Sequence, residues 1–357
     1  MPGRFTRKNR AFIVVPAAVA LIFLPMGLSS CGKEAKRTGA ARDCHIHLIS
    51  PDACSKLQAF IEQNDIKGYD ITATGADRVI AMLDQASVNR ATVFSGAYFM
   101  GIDGIAAMGG DEYANTKAEN DWSAQQVSEY PDRLDLFCSF NPLKDYAVAE
   151  LDRCVDELHV KGLKLHFAAS GVDLKNPEHL RRLEAVFAEA EKQDIPVLMH
   201  FSPPDPERLA YDTEEVQNFI EQVLVPHPDI RVCFPHLAGG GSVTPTQLDA
   251  MRTIMTAYDS NPSLTKENVF VDISGIIVPS VQSYGGATIE PPTDEQLAQA
   301  VDLMRQWGME RVLYGCDFPL SPPQEALSLD ARFPLSVEEY NRIMNNDNST
   351  FLHGYPD

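Results

Sequence analysis

The chain is short of positive charge: 30 Lys and Arg stand against 50 Asp and Glu over 357 residues, a formal charge of −20. Four of the basic residues (Arg4, Arg7, Lys8 and Arg10) crowd the first ten positions, so the remainder is more acidic still. Nucleic-acid binding wants a basic stripe, and this balance argues against such a partner, although a pocket's local field can oppose the global sign. No Cys-x-x-Cys occurs, which removes that metal-binding pattern. No Gly-x-Gly-x-x-Gly follows a strand candidate, which leaves a doubly wound dinucleotide fold without support. The apolar run Ala11 to Leu28 is broken by prolines and a glycine and is shorter than a comfortable membrane span.

That run, preceded by basic residues with no acid among them, has the layout of a signal peptide. It closes at Leu28-Ser29-Ser30-Cys31, which resembles the bacterial lipobox. The resemblance implies export, cleavage before Cys31, and a lipid anchor on Cys31 that holds the protein in the cell envelope. An ordinary signal peptide and an uncleaved anchor helix are the alternatives. No adjacent arginine pair precedes the run, which favours general secretion over twin-arginine export. The expected organisation is a signal over 1–30, a tether over 31–42, and one domain over 43–357.

Six cysteines remain beyond Cys31. An oxidising compartment permits disulfides. Cys138, Cys233 and Cys316 fall in apolar runs, where a free buried thiol is the simpler reading. Cys44 and Cys54 are the pair that could bridge a loop.

From Asp43 onward, short apolar runs alternate with amphipathic segments. The strand candidates are Cys44–Ile49, Ala91–Ser95, Leu134–Phe140, Gly162–Phe167, Pro196–Phe201, Arg231–Leu237, Val269–Ser274 and Val312–Asp317. Between them, apolar residues recur three and four apart, as in Leu180, Leu183, Val186 and Phe187. Nearly continuous apolar strands imply a parallel sheet buried on both faces, and eight repeats imply closure into a (β/α)8 TIM barrel. Three long connections are expected: Ser50 to Thr74, Tyr98 through Gly110 to Trp122, and Ile277 to Thr293. Each follows a strand, which in a barrel is the catalytic face.

Five of the nine histidines close strand candidates: His45, His47, His166, His200 and His236. Asp317 closes the eighth. Residues two apart on a strand share a face, so His45 and His47 both point into the barrel. Two imidazoles can hold one divalent ion but need further ligands, which His200 and Asp317 would supply from other strand ends. Asp43 is expected as a buried hydrogen-bond partner. His159, His179, His227 and His353 lie on helices or loops, and Arg90 and Arg311 stand at strand starts; no chemistry is assigned to these. Gly239-Gly240-Gly241-Ser242 is either an anion cradle or a plain loop.

The ordered set of a His-x-His on strand one, histidines closing strands five and six, and an aspartate closing strand eight resembles the amidohydrolase superfamily. More narrowly, it resembles the amidohydrolase-related branch that includes aminocarboxymuconate-semialdehyde decarboxylase. Gly162-Leu163-Lys164-Leu165-His166, Pro235-His236-Leu237-Ala238-Gly239-Gly240 and Tyr314-Gly315-Cys316-Asp317-Phe318-Pro319 carry the likeness. It implies His45, His47, His200 and Asp317 as ligands of one divalent metal, zinc first, with manganese or iron as alternatives. Asp317 would move protons, and His236 would contact the reacting water or carbonyl or act as an orienter behind the ligands. His166 would lie near metal or substrate. Lys164 would be a cation for a substrate carboxylate, or, less favoured, a carboxylated bridge to a second metal. The implied reaction is hydrolysis of a small molecule's amide or lactone carbonyl by metal-activated water. The alternative is non-oxidative decarboxylation. A homo-oligomer is compatible with the reading.

Overall fold

The computed structural model describes residues 39–66, 71–108, 110–205, 207–284 and 287–354. The signal candidate, Cys31 and the tether as far as residue 38 lie outside them. Seven parallel strands follow in chain order: β1 (Arg42–Leu48), β2 (Arg90–Ser95), β3 (Leu134–Ser139), β4 (Gly162–His166), β5 (Val197–His200), β6 (Val232–Phe234) and β7 (Val269–Asp272). A small antiparallel ribbon, β8 (Gln282–Tyr284) and β9 (Ala287–Ile289), precedes the last barrel strand, β10 (Val312–Leu313).

The chain after β10 returns to β1. Cys44 N–H donates to the Tyr314 carbonyl at 2.8 Å, Asp317 N–H to the His45 carbonyl at 2.9 Å, and His47 N–H to the Phe318 carbonyl at 2.9 Å. This seam pairs what would otherwise be two open edges, so the sheet is a barrel. All seven residues of β1 are buried, as a strand covered on both faces requires. Cys44, Phe94, Phe137, Leu198, Cys233, Phe270 and Leu313 fill the barrel interior, closed off by Phe351 and Leu352. Burial of each large side chain of this kind contributes about 1.5–3 kcal/mol.

The outer helices form for local reasons. In Pro177–Lys192, Asn176 Oδ1 accepts from Glu178 N–H at 2.9 Å and Pro177 occupies the first turn, where a missing N–H costs nothing. Its buried face is Leu180, Leu183, Val186, Phe187 and Ala190.

Three expectations are corrected, and the Cys44–Cys54 bridge that the spacing allowed is not formed. The connection expected to run as loop to Trp122 contains a long helix, Glu112–Ser128. Its buried residues are Thr116, Glu119, Asn120 and Ser123, so it packs through hydrogen bonds and leaves no apolar period to read. The strands are shorter than expected: β6 ends at Phe234 and β10 at Leu313, so His236 and Asp317 sit on turns beyond them. The Ser50–Thr74 and Ile277–Thr293 connections carry a helix (Pro51–Gln63) and the β8–β9 ribbon. Cys44 and Cys54 are both free and buried; the first thiol faces Asp272 Oδ2 at 3.6 Å and the second the Ile71 carbonyl at 3.5 Å.

Asn120 ties the polar helix to the barrel. Its amide donates to the Ser139 carbonyl (3.0 Å) and Glu150 Oε1 (2.8 Å), and its carbonyl accepts from Ser139 N–H (3.1 Å). Replacing Asn120 with Ala removes three buried hydrogen bonds, two of them to the Ser139 backbone, while Glu150 Oε1 keeps Arg153, and is expected to destabilise the fold by about 2–4 kcal/mol in urea unfolding. A change under about 0.5 kcal/mol would show that the packing does not depend on this residue.

Candidate metal centre

The site lies at the ends of β1, β4, β5, β6 and β7 and on the segment after β10. One carboxylate organises it. Asp272, fully buried at the end of β7, accepts from His45 Nδ1–H at 2.8 Å through Oδ2. Its Oδ1 accepts from His236 N–H (2.9 Å), Ser274 N–H (3.0 Å) and the Ser274 hydroxyl (2.6 Å). Burial alone would raise its pKa, but the His45 and His236 rings and these donors hold it well below the usual carboxylate range.

The bond to Asp272 fixes the His45 tautomer: Nδ1 carries the proton and Nε2 presents a lone pair inward. His236 is set the same way, with Nδ1–H donating to the Ser274 carbonyl at 2.7 Å. Burial, with the Lys164 ammonium adding to it, pushes the His45 imidazole down to about 3 against the pull of Asp272 and Asp317. Burial likewise holds His47, His166 and His200 well below the ordinary value. These rings are neutral at pH 7, the form that ligates a metal.

The backbone at two of the site residues is strained. His236 has φ 53° and ψ 35°, followed by Leu237 in the same left-handed region, and Asp317 has φ 64°. Such conformations cost about 1–2 kcal/mol per residue outside glycine. At His236 the strain is held from both sides, because its N–H binds Asp272 and its carbonyl accepts from Gln247. Gly275, at φ +60°, permits the close packing: a Cβ there would stand 3.0 Å from Asp317 Oδ2 and 3.4 Å from His236 Nδ1.

Asp317 Oδ1 is 3.3 Å from His45 Nε2 and 3.4 Å from His47 Nε2. His45, His236 and Asp317 offer ligand atoms within 4.8 Å of one another. His200 lies beside this group rather than within it, its Nδ1 3.1 Å from His236 Nε2. His166 stacks on His200 with centroids 4.1 Å apart, but its Nδ1 is occupied by Ala169 N–H at 3.2 Å. Lys164, fully buried, extends its ammonium to 3.2 Å from His45 Nε2. Burial lowers its pKa to about 8, opposed by Asp317 and Asp272. Asp43 is a buried hydrogen-bond partner as expected: Oδ1 accepts from His45 N–H at 3.0 Å and Cys316 N–H at 3.1 Å, and burial raises its pKa to about 7.

The donor set fits a divalent cation. It combines neutral imidazoles, orientation by groups behind them, and a carboxylate, and the nitrogen at its centre already faces a positive group. Imidazole with carboxylate suits zinc, manganese or iron. Sequence reasoning passed over Asp272, Ser274 and Tyr98, whose hydroxyl lies 3.4 Å from His47 Nδ1. Asp272 was detectable: an acid closing the apolar run Val269-Phe270-Val271 is the same signal that marks Asp317.

This fold accords with comparisons to known proteins. Residues 42–346 match the amidohydrolase family model. The chain belongs to the amidohydrolase family and is an enzyme of that superfamily. No curated protein matches it in sequence. Among solved structures, 2,6-dihydroxybenzoate decarboxylase from Rhizobium aligns with a TM-score of 0.57 at 15% identity, covering 88% of this chain and 98% of that one. The 5-carboxyvanillate decarboxylase of Novosphingobium aromaticivorans, complexed with manganese and 4-hydroxy-3-methoxy-5-nitrobenzoic acid, aligns at 0.57 and 14%, covering 89% and 97%. A probable 2-pyrone-4,6-dicarboxylic acid hydrolase from Acinetobacter baumannii, with citric acid bound, aligns at 0.55 and 16%, covering 88% and 100%. At these identities the likeness is one of fold.

Exchange of Asp272 for Asn keeps the shape but turns one oxygen into a donor facing donors. Metal affinity is expected to fall about 10–100-fold in a chelator-competition titration, with the far-ultraviolet circular dichroism unchanged. Unaltered affinity would remove Asp272 from any role in the centre.

Proposed function

We propose that this protein hydrolyses an amide or lactone carbonyl in a small molecule, using one divalent metal held by His45, His47, His200 and Asp317. The position of Asp317 carries the reading. Its carboxylate touches His45 and His47, and the same side chain lines the cleft that opens to solvent. A divalent ion, when bound, polarises a carbonyl and lowers the pKa of water from 15.7 to about 7.

The chain's own groups do the rest. Asp317 takes a proton from the attacking water and returns it to the departing oxygen or nitrogen. His236, with Nδ1–H committed to Ser274, offers Nε2 as an acceptor and so orients a ligand or a water by its lone pair. Lys164 keeps a positive charge beside Asp272 and Asp317. Its burial and its bond to His45 make it a poor docking point for an incoming carboxylate, which supports hydrolysis over decarboxylation.

Decarboxylation is the second reading, favoured by the aromatic-acid decarboxylases among the similar folds. Product analysis separates the two. With the metal-loaded mature protein and a panel of lactones, amides and hydroxylated aromatic acids, ring-opened or cleaved acids are expected without carbon dioxide. Stoichiometric carbon dioxide from an aromatic acid would replace the first reading with the second. Asp317→Asn is expected to lower kcat by about 10²–10⁴-fold; near-normal turnover would contradict the role given to its carboxylate.

We also infer export and anchoring through a lipid on Cys31, supported by the basic start, the apolar run and the small residues before that cysteine. Cys31→Ala is expected to move the protein from the membrane fraction to the soluble one and to abolish palmitate labelling. Persistent labelling would overturn this inference.

A further inference from the structure

Six rings stand around the centre in a closed circuit. His45, His47, Tyr98, His166, His200 and His236 each neighbour the next, and His236 returns to His45. Their centroids are from 4.1 Å (His166–His200) to 6.2 Å (His47–Tyr98) apart. Five are imidazoles at or just beyond strand ends. Tyr98 is the exception: it comes from the turn Gly96–Gly101 that follows β2.

The turn is built to put the phenol there. Gly96 lets it lie against the end of β1, since a Cβ at this position would stand 3.1 Å from the Leu48 carbonyl oxygen and 3.2 Å from Glu119 Oε1. At the other end of the turn, the Gly101 carbonyl accepts from the Asn141 amide at 3.0 Å. Tyr98 N–H donates to the Ser139 hydroxyl at 2.9 Å, and that hydroxyl donates to the Ser95 carbonyl at 2.7 Å. The Tyr98 ring packs on Phe99 at 4.2 Å and on His166 at 5.0 Å, and the residue is buried. Backbone and ring are both held, so the fold itself sets the hydroxyl 3.4 Å from His47 Nδ1.

The two histidines of β1 are served differently. His45 Nδ1–H is taken by Asp272. Among the described residues no carboxylate stands at His47 Nδ1; its partner there is the Tyr98 hydroxyl, while His47 Nε2 faces Asp317 Oδ1 at 3.4 Å. A histidine that gives Nε2 to a metal carries its proton on Nδ1 and needs an acceptor for it. A phenol oxygen accepts as well as donates, so it meets that need without adding a negative charge.

We propose that Tyr98 is a positioning residue of the metal centre: its phenol oxygen accepts the His47 Nδ1 proton and turns His47 Nε2 toward the ion. It acts through His47 and not on the substrate. The inference rests on the reading of His47 as a metal ligand and is independent of whether the reaction is hydrolysis or decarboxylation. A neutral phenol at 3.4 Å is a weaker partner than the carboxylate 2.8 Å from His45, so its loss costs less than that of Asp272.

Tyr98→Phe removes the hydroxyl and keeps the ring contacts. In a chelator-competition titration its affinity for zinc is expected to fall about tenfold, the lower end of the range for partners of metal-bound histidines, with the far-ultraviolet circular dichroism unchanged. Nuclear magnetic resonance of the zinc-loaded protein carrying isotope-labelled histidine gives the second readout. The His47 ring, assigned through the signal lost in His47→Gln, is expected to carry its proton on Nδ1. In Tyr98→Phe that proton's resonance moves upfield while the His45 signal stays in place. Zinc affinity within about twofold of wild type, a His47 ring without a proton on Nδ1, or a shift at His45 as large as that at His47 would overturn the inference and leave the metal centre standing. The wild-type protonation state is read without any variant, so the test holds even where Tyr98→Phe does not fold. Absence of zinc binding by the wild-type protein would overturn the metal centre and this inference with it.

Discussion

The site depends on one buried carboxylate. Asp272 accepts from the His45 ring, the His236 backbone and both donors of Ser274. An ionised carboxylate without such donors would be costly at this depth. With four of them it is stable, and it sets the His45 imidazole in the tautomer that turns Nε2 inward. It also grips the N–H of a residue held in a left-handed conformation. Orientation of the donors, choice of tautomer and local backbone strain are thus consequences of the same group.

The barrel seam supplies the other half. Closure is made by Tyr314, Asp317 and Phe318 bonding to Cys44, His45 and His47, so the backbone that closes the sheet also carries the histidines and the aspartate. Asp43 braces this join from within by accepting from both His45 and Cys316. Fold and site are therefore coupled: distortion of the seam displaces His45 and Asp317 together. Helix Glu112–Ser128 braces a neighbouring edge through Asn120 and the end of β3.

Much of this could be read from the residues. All eight barrel strands announce themselves as apolar runs, and His45, His47, His166 and His200 stand out because imidazoles at such ends have no packing reason to be there. The polar helix was hidden because its buried face is Thr116, Glu119, Asn120 and Ser123, which bond to groups on other elements, Glu119 to Ser50 and Asn120 to Ser139 and Glu150, rather than form an apolar stripe. The left-handed turn at His236 was hidden because it is enforced from β7 and from Gln247, not by local sequence. Asp272 was overlooked because the seventh strand candidate ran on to Ser274 and placed it inside the run, whereas Asp317 closed the eighth.

The central claim is that side chains distant in sequence gather around one divalent ion. Anomalous diffraction from crystals of the metal-loaded protein tests it directly. The account predicts a single peak with ligand distances of about 2.0–2.2 Å to His45 and Asp317. No peak beside these residues, or a strong peak elsewhere in the molecule, would contradict it.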